Sequence, residues 1–387
     1  MRHFALALGV ATAAACSQPL QPRGDHAPAL LADTRADQYE AVDLGAFFAR
    51  GINSRGAITG QVFVGNDLHA LLWDNGEVQD LGTLRDEPPG FAVFPVAMNE
   101  RGQIVGSNSY GFNHVRGFLW DHGVMQDLGD LLGGQNDVPQ VIANAISSSG
   151  HVVGQSEAEF GRHAFLWRDG TMTDLGTLGG FRSSGIAVNA RDQVVGWSLV
   201  ANSQTQHAFL WQDGTMQDLG TLGGDGTVAL LINEPGQVAG MGTTATGEVH
   251  AFVWSRGVLQ DIGAFTPVAM DEAGRVAGND GGSAFVWDNG VLTPLGSLGG
   301  RTSVTGMNNA GQIVGTSRLA SGEDHAFLWD HGEMADLGAL ADGASSAVAI
   351  SNCGTVAGTV RLASGETRAT EWRKGGGPPA QTVLASR

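Results

Sequence analysis

The sequence predicts an all-β fold, an eight-bladed β-propeller of four-stranded antiparallel blades whose ring is closed by the N-terminal strand. The first observation behind this is repetition: "HAFLWRDGTMTDLGTLGG" at 163–180 returns as "HAFLWQDGTMQDLGTLGG" at 207–224. The second is a count of eight. Trp closes an apolar triplet at Trp73, Trp120, Trp167, Trp211, Trp254, Trp287, Trp329 and Trp372. A "GQVVG"-like pentad ends at Gly60, Gly106, Gly154, Gly196, Gly240, Gly278, Gly315 and Gly358. The third is turn chemistry, two hairpin signals in each copy. A β-solenoid is the alternative architecture, but its coils are shorter and lack paired hairpins.

Taken in order, residues 1–16 ("MRHFALALGVATAAAC") read as a secretory signal peptide, with a basic start, an apolar stretch and small residues. The ending resembles a lipobox, which makes Cys16 the residue that would carry a lipid. Residues 17–38 are polar and contain Pro, and read as a flexible tether; residues 39–387 form the propeller. Cys353 is the only other cysteine, so a chain lipidated at Cys16 is expected to hold no intramolecular disulfide.

Within a copy, "SGIAVN" (184–189), "QVVGWS" (193–198), "HAFLW" (207–211) and "TMQDLG" (215–220) read as four short strands. N-x-x-G turns such as "INSRG" and "MNNAG" join the first two, and "RDG" or "QDG" hairpins join the last two. In one copy Asp192 stands where the turn Gly is expected. The small first strand suits an innermost position. The bulky third strand, apolar on both faces, suits a blade sandwiched between two others. Residues 40–385 are similar in this pattern to the HAF family of bacterial extracellular repeats. The resemblance implies a secreted, propeller-like protein and transfers no functional residue by position.

Five histidines head the third strand, each eleven residues before an aspartate: His69 with Asp80, His163 with Asp174, His207 with Asp218, His250 with Asp261 and His325 with Asp336. The hairpin places each pair diagonally on one face, so these read as structural pairs rather than catalysts. One copy carries Arg116 with Asp127 instead, and in the sixth both partners vanish together, as Ser283 and Pro294. The last copy has Arg368, whose expected partner is Asp43 on "YEAVDLG" (39–45), the strand that would complete the final blade. "AQTVLA" (380–385) competes for that slot.

The remaining two connections of each copy vary and project from one face, where binding is expected. The expected binding residues there are Arg85, Asp86, Glu87, Phe91 and Phe94 in "RDEPPGFAVFP", and Trp197, the single Trp outside the series. Acidic balance, 39 Asp+Glu against 21 Lys+Arg, argues against nucleic acid or a phospholipid surface as partner, leaving the membrane only through a lipid anchor. No metal-binding or enzyme motif stands out, and no cofactor is expected. The expected function is a non-catalytic binding module, exported to the cell envelope or beyond, with a glycan or envelope protein as partner. A secreted polysaccharide hydrolase or lyase, and a purely structural surface protein, are the alternatives.

Overall fold

The computed structural model describes residues 39–84, 91–110, 114–134, 140–340 and 343–374, and every regular element among them is a β-strand. The strands fall into antiparallel sets of four: residues 48–80 (repeat 1), 91–127 (2), 141–174 (3), 179–218 (4), 223–263 (5), 266–294 (6) and 299–336 (7). Repeat 8 takes three strands from 344–374 and its fourth from Tyr39–Gly45, which pairs antiparallel with Thr367–Lys374. No sheet closes on itself. The sheets are not all independent either. A lone parallel pair joins repeats 1 and 2 (Leu68–Ala92), and another joins repeats 3 and 4 (Arg162–Arg182). The competing segment 380–385 and the leader and tether lie outside the described residues.

Repeat 4 shows how sequence becomes sheet. Gly179–Val188, Val194–Val200, Gln206–Gln212 and Thr215–Asp218 pair in chain order. The first strand begins earlier than the sequence suggests, because the "GG" of "LGG" is already strand. A Cβ on Gly180 would sit 2.5 Å from the Leu199 Cβ, so only Gly can run there. In repeat 3, Asp169 and Gly170 adopt φ of 47° and 84°, the geometry of a tight hairpin whose twist matches its strands. Asp192 takes φ 60° where other copies place Gly. The Gly that ends each pentad has a steric reason. A Cβ on Gly196 would stand 1.9 Å from the Ser184 carbonyl oxygen, on the neighbouring strand.

The core lies between sheets rather than within them. From the third strand of repeat 4, Ala208 and Leu210 point forward onto Ala229, Val238, Phe252 and Trp254 of repeat 5. Phe209 and Trp211, on the other face, point back onto Val153, Ala164, Leu166 and Leu175 of repeat 3. Alternation puts successive residues on opposite faces, and both faces are covered. The same arrangement recurs between repeats 1 and 2, 2 and 3, 5 and 6, 6 and 7, and 7 and 8. A further cluster joins Ala357 and Ala369 of repeat 8 to Phe47, Ile58 and Leu71 of repeat 1.

Repeat 8 breaks the pattern at two successive positions, Thr370 standing fully buried where the other repeats place Phe or Leu. Glu371 stands where other repeats place Leu or Val, and only 7% of it is exposed. Burial raises its carboxyl above the ordinary range, and Arg373 offsets this in part. A raised folded-state pKa contributes stability at low pH and loses it as pH rises through that value. Glu371→Leu should therefore raise the melting temperature, by an amount equivalent to about 1–3 kcal/mol, and flatten the loss of stability between weakly acid and alkaline buffer. Melts of both proteins across that range test this. Gly196→Ala should cost about 3 kcal/mol or more in denaturant titration, because the atom it meets is backbone.

Candidate functional site: the connection face

An antiparallel set of four strands sends its two hairpin turns to one end and its other two connections to the opposite end. The clefts on the described surface gather at the second end. One, of about 420 Å³, lies between repeats 6 and 7 and is lined by Gly282, Arg301, Ser303, Thr316, Arg318 and Asp324 among others. Another, of about 360 Å³, lies between repeats 4 and 5, with Gln206, Asp225, Val228 and Met241 in its wall. A third, of about 420 Å³, runs over Gly179–Phe181 and Asn202–Gln204 within repeat 4. All three sit on an irregularity at the start of a first strand. The ladder shifts register between Gly179 and Ser183, between Gly223 and Thr227, and between Gly299 and Thr302. Except for Arg182, which pairs with Arg162 of repeat 3, the intervening residues run outside the sheet pairing, and extended backbone off a ladder is what an added peptide strand uses.

The sequence-predicted binding residues are scattered. Arg85, Asp86 and Glu87 lie outside the described residues. Phe91 is half-buried, its ring 5.1 Å from that of His69. Phe94 is 42% exposed on the first strand of repeat 2, near the also exposed Val96. Trp197 is half-buried in mid-strand, paired with Ser184 and Ala208, and is not an open platform.

The aspartates and their His or Arg partners stand together. His69 Nδ1 lies 2.6 Å from Asp80, His163 Nδ1 2.8 Å from Asp174, and His207 Nδ1 2.7 Å from Asp218. His250 Nδ1 lies 2.8 Å from Asp261, and His325 Nδ1 2.9 Å from Asp336. Arg116 reaches Asp127 at 2.7 Å and Arg368 reaches Asp43 at 2.8 Å. None of the five His–Asp pairs is sealed from water. The side chains of Asp80 and Asp261 are 53% and 44% exposed, and that of Asp336 is 27% exposed. The reason is their place on the fourth strand, which pairs on one side only.

Sequence reasoning missed a second task of each aspartate. A carboxylate oxygen accepts the N–H of the Gly two residues on, as at Gly176 and Gly220, and so turns the chain out of the sheet. Asp80, Asp261 and Asp336 hold Gly82, Gly263 and Gly338 in the same way. The Leu between them, such as Leu175 or Leu219, is buried in the next junction. The phrase Asp–Leu–Gly thus fixes a pair, a core residue and a turn at once.

The N-x-x-G turns at the opposite end also do more than bend the chain. Asn189 Oδ1 accepts from Arg191 and Gln193, while Nδ2 donates to the Asn233 carbonyl of the next repeat. Asn99, Asn233 and Asn308 reach forward in the same way. Beside them the Ala190 N–H donates to Glu234, and the Glu234 N–H to Glu272. Burial, with Glu234 and Asp271 nearby, raises the Glu272 carboxyl. The sequence signal for this was present, an Asn in five of the eight turns (Asn53, Asn99, Asn189, Asn233 and Asn308) where a Gly alone would suffice.

Cys353 Sγ lies 3.4 Å from the Ser54 carbonyl oxygen of repeat 1. Cys16, the only other cysteine, lies outside the described residues.

Asp174 carries an electrostatic signature of its pair with His163. Desolvation pushes its carboxyl up, but hydrogen bonds from His163 and the Gly176 amide outweigh this and hold it below the ordinary value. A depressed folded-state pKa contributes stability above the unfolded value and loses it as pH falls through the folded one. Asp174→Asn should therefore lower the melting temperature at neutral pH and shrink the drop seen on acidification. Paired melts from neutral to strongly acid buffer check both.

No family model matches the chain, and no curated protein matches it. Solved structures do. A puromycin hydrolase mutant aligns with TM-score 0.52 and 12% identity, over 84% of this chain and 58% of its own. Prolyl endopeptidases align with TM-score 0.53 and 9% identity, over 86% of this chain and 55% of theirs. The β-propeller domain of a trilobed protease from Pyrococcus furiosus aligns with TM-score 0.49 and 12% identity, over 75% of this chain and 96% of its own. The chain thus spans well under two thirds of the two hydrolases. These likenesses concern the fold, which is propeller-like. They also correct the expected function. Structures sharing this architecture are named as a puromycin hydrolase and prolyl endopeptidases, which runs against the expected non-catalytic glycan- or envelope-binding module and its polysaccharide-active and purely structural alternatives. The physical reason is that the repeated phrase encodes packing and turns, and so says nothing of what the variable connections hold.

Proposed function

We propose that this chain is the propeller part of a peptide-hydrolase system, an eight-bladed closed ring whose connection face receives short extended peptides. Closure is supported by the Tyr39–Gly45 strand in the sheet of repeat 8, by the Arg368–Asp43 pair, and by the apolar cluster between repeats 8 and 1. The observation that carries the peptide reading is the coincidence of clefts with first-strand backbone outside the ladder in repeats 4, 5 and 7. Such backbone binds peptide main chain with little regard to sequence, and the clefts beside it accept side chains. The fold shared with the puromycin hydrolase and the prolyl endopeptidases points to the same ligand class. The leader-like residues 1–16 and the resemblance to HAF repeats support a site of action outside the cytoplasm. The reading assigns no hydrolytic residue among the described ones.

The test is retention of a randomised tetrapeptide library on the immobilised protein, read by mass spectrometry, with hydrogen exchange on the mixture. Peptides should be retained, and amides around 180–181, 224–226 and 300–301 should gain protection. Retention of nothing, or protection confined to the hairpin-turn end, would remove the proposal.

A further inference from the structure

The repeats differ most at the sixth, and the largest chemical asymmetry of the connection face lies there. Trp254 and Trp287 are 33 residues apart, against 42 to 47 for the other steps. Much of the shortfall is a connection reduced to Gly281 and Gly282, between strands ending at Asp280 and starting at Ser283. Gly282 adopts φ +149°, and a Cβ there would press on the Arg301 stem at 3.4 Å. Its carbonyl instead accepts the Thr302 N–H at 2.9 Å, which holds the short turn against repeat 7. The lost His–Asp pair opens a second, smaller cleft of about 220 Å³ behind it, lined by Ser283 and Pro294. Phe285 and Trp287 are accordingly only partly buried, whereas Phe209 and Trp211 are buried.

The floor of the larger cleft is polar in a particular way. Arg318 and Asp324 form a two-point ion pair at 2.8 and 3.0 Å and cancel each other's charge. Arg301 makes no ion pair or side-chain hydrogen bond among the described residues, and its guanidinium is an unbalanced cation in a chain of net charge −18. Ser303 and Thr316 face each other across the ladder with hydroxyls that bond to nothing among the described residues. One free fork of N–H donors and two free hydroxyls make a set for a single planar anion with two oxygens. The cavity, about 420 Å³, falls within the range of small-ligand sites.

We infer that the cleft between repeats 6 and 7 seats the C-terminal carboxylate of a short peptide, with Arg301 as the ion partner and Ser303 and Thr316 as hydroxyl donors. This rests on the peptide reading above and names the end of the peptide that is held. The unpaired backbone at Gly300 and Arg301 then lies beside the last residue of the ligand, where main-chain bonds set its direction.

The experiment uses the full chain and two randomised tetrapeptide libraries, one with free C-termini and one with C-terminal amides. Wild type should retain the free-acid library about ten-fold more strongly, the loss expected when a charged hydrogen-bonding partner is removed. Arg301→Ala should bring acid and amide to the same level, with an unchanged melting temperature because Arg301 is exposed. Arg301→Lys should restore part of the preference. Equal retention of both libraries by wild type, or an acid preference that survives in Arg301→Ala, would overturn the carboxylate seat while leaving peptide binding in place. Retention of neither library would overturn the peptide reading itself.

Discussion

Everything else in this fold depends on the third strand of each repeat having two buried faces that belong to different neighbours. Ala and Leu of "HAFLW" reach forward and Phe and Trp reach back, as Ala208, Leu210, Phe209 and Trp211 do in repeat 4. No repeat therefore owns a core. A single four-stranded set would leave one apolar face in water on each side, which is why such units need neighbours to be stable. The requirement has no natural end in an open row: the first and last repeats would each expose a face. Here the face of repeat 1 meets Ala357 and Ala369 of repeat 8, and the missing fourth strand of repeat 8 arrives from Tyr39–Gly45. The two chain ends of the domain are thereby held by the same junction chemistry as any other pair of repeats.

Polar groups reinforce the joints from both ends without entering the apolar zone. At one end the Asn side chains cross to the next repeat; at the other the His–Asp pairs tie third strand to fourth. The pairs are partly exposed, Asp80 and Asp261 most of all, so each is worth modest energy by itself, and their value lies in aiming the Asp that turns the chain. Joint loss at Ser283 and Pro294 fits this, since Pro294 removes the carboxylate and Leu295 still fills the junction. Glu371 shows the opposite case, an ionisable group inside the zone, tolerated at a cost that its raised pKa records.

Much of this was legible in the sequence because it is written several times. The tight hairpin at Asp169–Gly170, the turn at Asp192, and the eleven-residue spacing of the pairs each follow from local geometry, and repetition separated signal from accident. The placement of Asp43 beside Arg368 was legible for the same reason, as a gap in a series. Three things were not. The forward reach of Asn189 depends on where the next repeat lies, which no single copy states. The early start of the strand at Gly179 depends on Leu199 crowding Gly180. Trp197 stands out as the single Trp outside the series, but its burial in mid-strand cannot be seen from its neighbours in sequence. The connection face fared worst, since clefts arise from two repeats meeting, and Arg301 gives no signal beside the louder "RDEPPGFAVFP".

That failure has a physical logic. Repetition preserves whatever a junction needs, so residues serving packing are over-written and conspicuous, while residues free to serve a ligand are the ones that repetition leaves alone. Repeat 6 gave up its long connection, its His–Asp pair and part of its aromatic burial, yet Ala277, Ala284, Val286 and Leu295 still close on Val304, Ile313, Phe327 and Trp329 of repeat 7. The apolar contacts with repeat 7 thus lie in a band that these deletions leave in place. A set of repeats built this way can have one wall lowered while the junction with the next repeat stays closed, and the lowered wall is where Arg301 stands exposed without disturbing the core. Chemistry and stability occupy different levels of the same strand, and this lets a scaffold of near-identical parts carry a site that occurs once.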